Sequence, residues 1–259
     1  MAIITITTDF GSAGSFVGAM KGVILSIAPD ARIVDITHEI PPRDILAGAL
    51  ALEEAFSFFP AGTIHLAVVD PGVGSSRAPV AIKSRGYHFV GPDNGLFHLC
   101  LANENEVEVV RLTNPKYRLP SVSSTFHGRD IFAPAAAHVL AGVPLKALGE
   151  SAAPLSPLFL PVCVPQQDTL HVPILKADRF GNLITALKHP AFSEWSGGAG
   201  VKIDISGQII NSIASTYSDA APGEPAAYFG SSKRLEIAIN QGNAQVHFDN
   251  PGKITLHRH

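Results

Sequence analysis

Residues 3–28 read IITITTDFGSAGSFVGAMKGVILSIA, and the fold follows from how they are divided. The β-branched run 3–8 has strand character, glycine and serine break it between Asp9 and Ser15, and residues 16–28 carry apolar side chains at helical spacing until Pro29. The unit is strand, loop, helix. Outward from it the order repeats: RIVDIT (32–37) as a strand, DILAGALALEEAFSFF (44–59) as a helix closed by PAG, and TIHLAVV (63–69) as a nearly continuous buried strand. Such alternation predicts an α/β fold with a largely parallel sheet covered by helices. Ligands of these sheets sit beyond the carboxyl ends of strands, where Asp9 and Asp70 both fall.

Further along, short strands are expected near 80–83 and 88–91, PDNGLFHLCLA (92–102) reads as a turn leading into a helix, and STFHGRDIFAPAAAHVLAG (124–142) as a loop feeding a helix from about Asp130. Pro154, Pro157, Pro161 and Pro165 then exclude long regular structure. This proline-rich linker, about 152–168, is expected to separate an α/β domain at 1–160, carrying the catalytic loops, from a small β domain at 169–259. The second domain shows short β-like runs (TLHVPILKA, NLITAL, VKIDI, RLEIAI, AQVHF, KITLH) divided by Gly, Asn and Ser.

The composition narrows the partners. A net charge of -3 provides no basic field for phosphates, so nucleic acid is not expected. Charged residues make up 16% of the 259, against roughly a quarter in ordinary soluble domains, and apolar residues 46%, which leaves apolar surface for subunit interfaces. The two cysteines, Cys100 and Cys163, form no disulfide framework or zinc motif. The opening residues show no signal-peptide pattern and no apolar run is long enough to span a bilayer, so a cytoplasmic protein without membrane attachment is expected.

Several chemistries lose support at once. Neither GSAGSFVG nor GVGSSR has the spacing of a dinucleotide fingerprint, no G-x-S-x-G occurs, and there is no H-E-x-x-H. No metal site is expected, and His65, inside an apolar strand, reads as a hydrogen-bonded core or interface residue. Asp9 suits either a helix cap or a pair of ligand hydroxyls. The loop in VVDPGVGSSRAPV (68–80) sets Asp70 and Arg77 at its two ends, and TFHGRD places His127 in a loop just before a helix. Together they supply an acceptor, a fixed fork of donors and a tunable imidazole, a set able to hold and polarise one water.

The ordered strings TTDFG, MKGVI, VVDPGVGSSR, GPDNGLF, TFHGRDIFAPAAA, DRFGNLIT and EIAINQGNA resemble the S-adenosyl-L-methionine hydroxide adenosyltransferases, relatives of the fluorinating and chlorinating enzymes. The resemblance implies an amino-terminal α/β/α sandwich, a small carboxyl-terminal all-β barrel, and a homotrimer binding substrate between one subunit's large domain and its neighbour's small one. It implies hydrolysis of S-adenosyl-L-methionine to adenosine and L-methionine, with no cofactor, by water or hydroxide handled by Asp70, Arg77 and His127. By the same carry-over, Asp9 binds the ribose hydroxyls, Asp178 and Asn182 contact the methionine amine and adenine, and Tyr217 stacks on adenine. Ser231 meets the methionine carboxylate, and the backbone of Ile239 to Gln241 reads the adenine edge. The halogenating relatives carry tyrosine at the position of Asp70, serine at that of Gly128 and arginine at that of Ser232. The alternatives to a hydrolase are a sensor of adenosine or S-adenosyl-L-methionine that does not turn it over, and a halogenase.

Overall fold

The computed structural model describes residues 3–102, 104–152 and 155–259, so Ala153 and Pro154 of the proline-rich stretch lie outside the described residues. The chain forms two compact units, Met1–Phe159 and Leu160–His259.

In the first unit β1 (Ile3–Thr8), α1 (Phe16–Ile27), β2 (Arg32–Thr37), α2 (Ile45–Ala55) and β3 (Ile64–Val68) follow one another as the periodicity predicts. β4 (Pro79–Ser84), β5 (Tyr87–Pro92), β6 (Glu108–Arg111), α3 (Ala133–Leu140) and β7 (Glu150–Ser151) complete it. The sheet order is β2-β1-β3-β5-β4-β6-β7. The expected parallel pairing holds from β2 to β5, whereas β4, β6 and β7 join antiparallel. The reversal comes from the β4–β5 hairpin, where Arg85 (φ 54°) and Gly86 (φ 80°) form the two-residue turn that suits the strand twist.

Strand alternation assigns the faces. Ile4 and Ile6 of β1 and Ile64, Leu66 and Val68 of β3 share a core with Met20 and Ile24 of α1 and the alanines of α3. Thr5 and His65 point the other way, where Phe56, Phe59, Tyr87 and Phe89 surround the imidazole. A one-residue slip would exchange the two sets, so burial fixes the register. α1 keeps Val17, Met20 and Ile24 inward at helical spacing, and α2 is capped by Asp44, whose Oδ1 accepts the Ala47 N–H at 2.9 Å. Because the chain passes from β1 out to β2 and then back across β1 to β3, the connections diverge at the carboxyl ends of β1 and β3. That divergence opens a crevice there.

The second unit contains β8 (Val164–Gln166), β9 (Thr169–Ala177), β10 (Leu183–Lys188), α4 (His189–Ser196), β11 (Val201–Ile205), β12 (Gln208–Ile210), β13 (Pro225–Phe229), β14 (Arg234–Ile239), α5 (Ala244–His247) and β15 (Lys253–Arg258). Its antiparallel sheet runs β12-β11-β15-β9-β10-β14-β13, and an isolated bridge from Ile213 to Ala227 of β13 nearly closes it into a barrel. Leu170, Val172, Ile203, Leu235, Ile237 and Leu256 fill its interior.

Three local expectations change. AQVHF begins with the one-turn helix α5, because Asn243 Oδ1 accepts the Val246 N–H at 2.9 Å and caps a turn where a strand was expected. With α4, whose second residue is Pro190 in the first turn, this makes the unit β-rich where an all-β domain was expected. Residues 95–102 form successive turns in place of the expected helix, with Asn94 Oδ1 accepting the Leu96 N–H. The helix expected from Asp130 opens earlier, through a wide π-helical turn at Gly128–Phe132.

Candidate active site

β1 and β3 pair with Thr8 opposite Val68, so Asp9, one residue past β1, and Asp70, two past β3, leave the same edge of the sheet. The loop after Asp70 is two consecutive turns: Val73 N–H donates to Asp70 O at 3.2 Å and Ser75 N–H to Gly72 O at 3.1 Å. Ser75 Oγ also donates to Gly72 O, which gives this hydroxyl a role in the turn. Gly74 has φ +77°, and a Cβ there would lie 2.4 Å from Ser124 O. Glycine therefore lets the 70–77 loop rest on the segment that leads into His127. That segment is tied down by Asp130, which is fully buried and accepts from Ser123 N–H at 2.8 Å and Arg129 Nε at 2.6 Å.

Arg77 meets Asp70 through a forked pair of hydrogen bonds, Nε to Oδ1 at 3.1 Å and Nη2 to Oδ2. The two side chains are only 7% and 5% exposed, and the guanidinium lies 5.3 Å above the ring of fully buried Phe132. Nη2 is also 3.2 Å from Nδ1 of His127. A guanidinium has only donors, so Nδ1 accepts, and a neutral imidazole then carries its proton on Nε2. Burial, and after it the charge of Arg77, holds the His127 pKa below the usual imidazole value. The ring is neutral at pH 7. Arg77 Nη1 is buried and has no partner among the described residues, a donor free for a small oxygen ligand.

Gly128 adjoins this trio. A Cβ there would stand 3.2 Å from Met20 Sδ, 3.3 Å from a Phe126 ring carbon and 3.5 Å from a Phe10 ring carbon. Apolar groups thus crowd the Cβ position of any side chain here. Phe10, Phe16 and Phe126 pack on one another with centroids 5.1 to 5.9 Å apart.

The other predicted residues divide between the units. Asp9 Oδ2 accepts the Arg43 backbone N–H at 2.8 Å, and no helix cap involves it. In the second unit, Asp178 organises the turn between β9 and β10: Oδ1 accepts the Phe180 and Asn182 N–H groups at 2.8 Å, and Oδ2 the Asn182 side-chain amide at 2.9 Å. Tyr217 opens a 3-10 turn closed by a Thr216–Asp219 capping box, and its ring is 6.2 Å from that of Tyr228. Ser231 is exposed in the β13–β14 turn, while Ser232 Oγ is buried without a partner among the described residues. Ile239 ends β14 and is buried, and Gln241 is exposed with φ 57°. The structure thus brings Asp70, Arg77 and His127 into direct contact and sets Asp9 on the same sheet edge. Sequence reasoning missed Phe132, whose apolar place in GRDIF does not distinguish it from ordinary core, and the hydrogen-bonded groups behind Asp9. Among the described residues, no group of three or more His, Cys, Asp or Glu side chains is arranged to hold a metal ion.

Comparison with known proteins gives the family. Residues 4–149 match the model of the SAM hydroxide adenosyltransferase N-terminal domain and residues 172–251 that of the C-terminal domain. A protein of Salinispora tropica named (R)-S-adenosyl-L-methionine hydrolase is 38% identical over 93% of this chain and 91% of its own length, and one of the same name from Thermus thermophilus is 38% identical over 92% of each. A fluorinase of an Actinoplanes species is 25% identical over 92% of this chain and 91% of its own. The crystal structure of an uncharacterized conserved protein from Thermotoga maritima superposes with a TM-score of 0.90 at 32% identity, covering 98% of this chain and all of that one. Matched over both units, with its acid, arginine and histidine in contact, the chain belongs to the SAM hydroxide adenosyltransferase family.

Proposed function

We propose that this protein is an S-adenosyl-L-methionine hydrolase. The observation that carries the reading is the part-buried chain Asp70–Arg77–His127, with one guanidinium nitrogen left without a partner among the described residues beside a neutral imidazole. Arg77 Nη1 and the Nε2 proton of His127 are both donors, and what they fit is an electron-rich oxygen. Asp70 holds the guanidinium in place and balances its charge.

The oxygen of water or hydroxide attacks the ribose 5′ carbon. The new carbon–oxygen bond forms as the carbon–sulfur bond breaks, and the electron pair stays on sulfur. The sulfonium departs as the neutral thioether of methionine and needs no acid. With water as nucleophile one proton is released to solvent; with hydroxide none is. In this geometry His127 orients the oxygen, because its Nδ1 lone pair is engaged by Arg77 and its Nε2 already bears a proton. The relatives' names specify the (R) sulfonium, and we take the same epimer as substrate here.

The remaining roles extend this reading. Asp9 receives the ribose 2′ and 3′ hydroxyls, Tyr217 stacks on adenine, and Asp178 and Asn182 contact the methionine amine and adenine. Ser231 holds the methionine carboxylate, and the backbone from Ile239 to Gln241 reads the adenine edge. The first unit is the catalytic α/β/α domain and the second the barrel domain. We propose a homotrimer, supported by the low charge fraction and by exposed Phe58, Phe180 and Val246. A cytoplasmic location is proposed on the two unpaired cysteines. Among the described residues, no helix is long and apolar enough to cross a membrane.

The test is incubation of the purified protein with (R)-S-adenosyl-L-methionine in water enriched in oxygen-18. Equimolar adenosine and methionine, with the label in the 5′ hydroxyl, are expected. Binding without product would replace the reading with a sensor, and halogenated adenosine on addition of chloride or fluoride would replace it with a halogenase.

A further inference from the structure

Behind Asp9 lies a second chain of polar side chains that the reaction does not use. Lys21 Nζ donates to Asp35 Oδ2 at 2.6 Å, and Asp35 Oδ1 is 3.2 Å from His38 Nε2. His38 Nδ1 is 2.9 Å from the hydroxyl of fully buried Thr8, the last residue of β1. The approach of Asp35 to Nε2 lacks hydrogen-bond geometry among the described residues, so the ring's hydrogen bond is the one between Nδ1 and the Thr8 hydroxyl. The Thr8 oxygen in turn accepts the Phe10 N–H at 3.3 Å. The backbone adds a second tie, Gly11 N–H donating to His38 O at 2.8 Å. The residues on either side of this link, Thr8 and Phe10, flank Asp9, whose own Oδ2 is met by the Arg43 N–H a few residues beyond His38.

His38 is only 10% exposed at its side chain, and its ring joins the end of β1 to the end of β2. A core role would be met by an apolar side chain of the same size. The ring instead spends one nitrogen on the residue before Asp9, while the Asp35 carboxylate, held by Lys21, lies 3.2 Å from the other. We propose that His38 is a positioning residue, acting through Thr8 to hold the Asp9 carboxylate where it receives the two ribose hydroxyls. The device resembles a carboxylate–imidazole pair behind a catalytic group, but here its product is binding geometry. The proposal rests on the reading of Asp9 as the ribose ligand.

Calorimetric binding of adenosine and of 2′,3′-dideoxyadenosine separates the two ideas. Asp9→Asn should weaken adenosine at least 10-fold and leave the dideoxy compound unchanged; if it does not, the reading of Asp9 fails. His38→Ala should weaken adenosine about 5- to 20-fold, again without effect on the dideoxy compound, and raise KM with kcat within 2-fold. His38→Asn, whose amide falls near the lost Nδ1, should restore most of the affinity. Thr8→Val keeps the shape without the hydroxyl and should match His38→Ala, with the double variant no worse than either single one. If Asp9→Asn discriminates the two nucleosides but the folded His38 and Thr8 variants do not, or if they lower kcat at unchanged KM, the positioning role is overturned.

Discussion

Arg77 Nη2 reaches both Asp70 and the Nδ1 of His127, so one nitrogen joins the acid to the imidazole. The hydrogen-bonded path from the acid to the histidine therefore runs through the arginine. Asp70→Ala leaves a buried guanidinium without its counter-charge, which costs about 3 kcal/mol of stability by the usual penalty for breaking a buried pair. Turnover should fall by at least ~100-fold. Urea denaturation and product assays read both, and a variant with full activity would remove Asp70 from the site.

The same contact predicts the pH dependence. Protonation of His127 places an N–H against Nη2, and burial with the Arg77 charge opposes it, so the change comes below the ordinary imidazole range. Activity should decline only on the acid side of about pH 6.5. In His127→Asn, which retains an acceptor for Arg77, turnover should drop about 10- to 100-fold without that acid limb. A complete loss of turnover, with binding intact, would favour proton abstraction by the ring over orientation.

Gly128→Ser tests the apolar packing beside the trio. The new side chain would press on Met20, Phe126 and Phe10, and overpacking of this kind destabilises by about 1 to 3 kcal/mol. Thermal unfolding should shift down accordingly. No halogenated product is expected with chloride or fluoride, because Asp70 stays in place. Its appearance would show that residue 128 alone selects the nucleophile.

His65 predicts acid sensitivity away from the site. It is fully buried among aromatic rings, holds Thr5 through Nδ1 at 2.8 Å, and burial pushes its pKa down to about 4. The unfolded chain takes up this proton below about pH 6.5, the folded protein only near 4. Stability is thus unaffected above pH 7, falls between 6.5 and 4 by about 3 kcal/mol, and is flat in this respect below that. Denaturant titrations across this range, with Thr5→Val/His65→Leu as control, measure it. A control with the same slope as the parent would assign the loss elsewhere.

Much of this was legible in the residues themselves. IITITT, the apolar spacing of 16–27 and TIHLAVV have one period each, and the structure follows them. The β4–β5 hairpin was harder, because Arg85 and Gly86 adopt left-handed angles that nothing in the flanking pattern demands. AQVHF looks extended until Asn243 is seen capping its first turn, and PAAYF of β13 is too rich in alanine and proline to read as a strand. At the site, residue types suggested a trio around one water. The closeness of Gly74 to Ser124, the partnerless Nη1 of Arg77 and the link from His38 to Thr8 depend on chain folding over more than 25 residues, beyond the reach of any local pattern.

The π-helical turn at Gly128–Phe132 separates two demands on one helix. Its wider loop of backbone inserts one residue, and one residue turns everything ahead of it by about 100° around the axis. The alanines of α3 can therefore drift to suit the core while His127 keeps its aim, and a core substitution there changes stability without re-aiming the imidazole. Deletion of a single residue from 128–132 would turn His127 relative to α3 and would also disturb a segment in which Gly128, Asp130, Ile131 and Phe132 are buried.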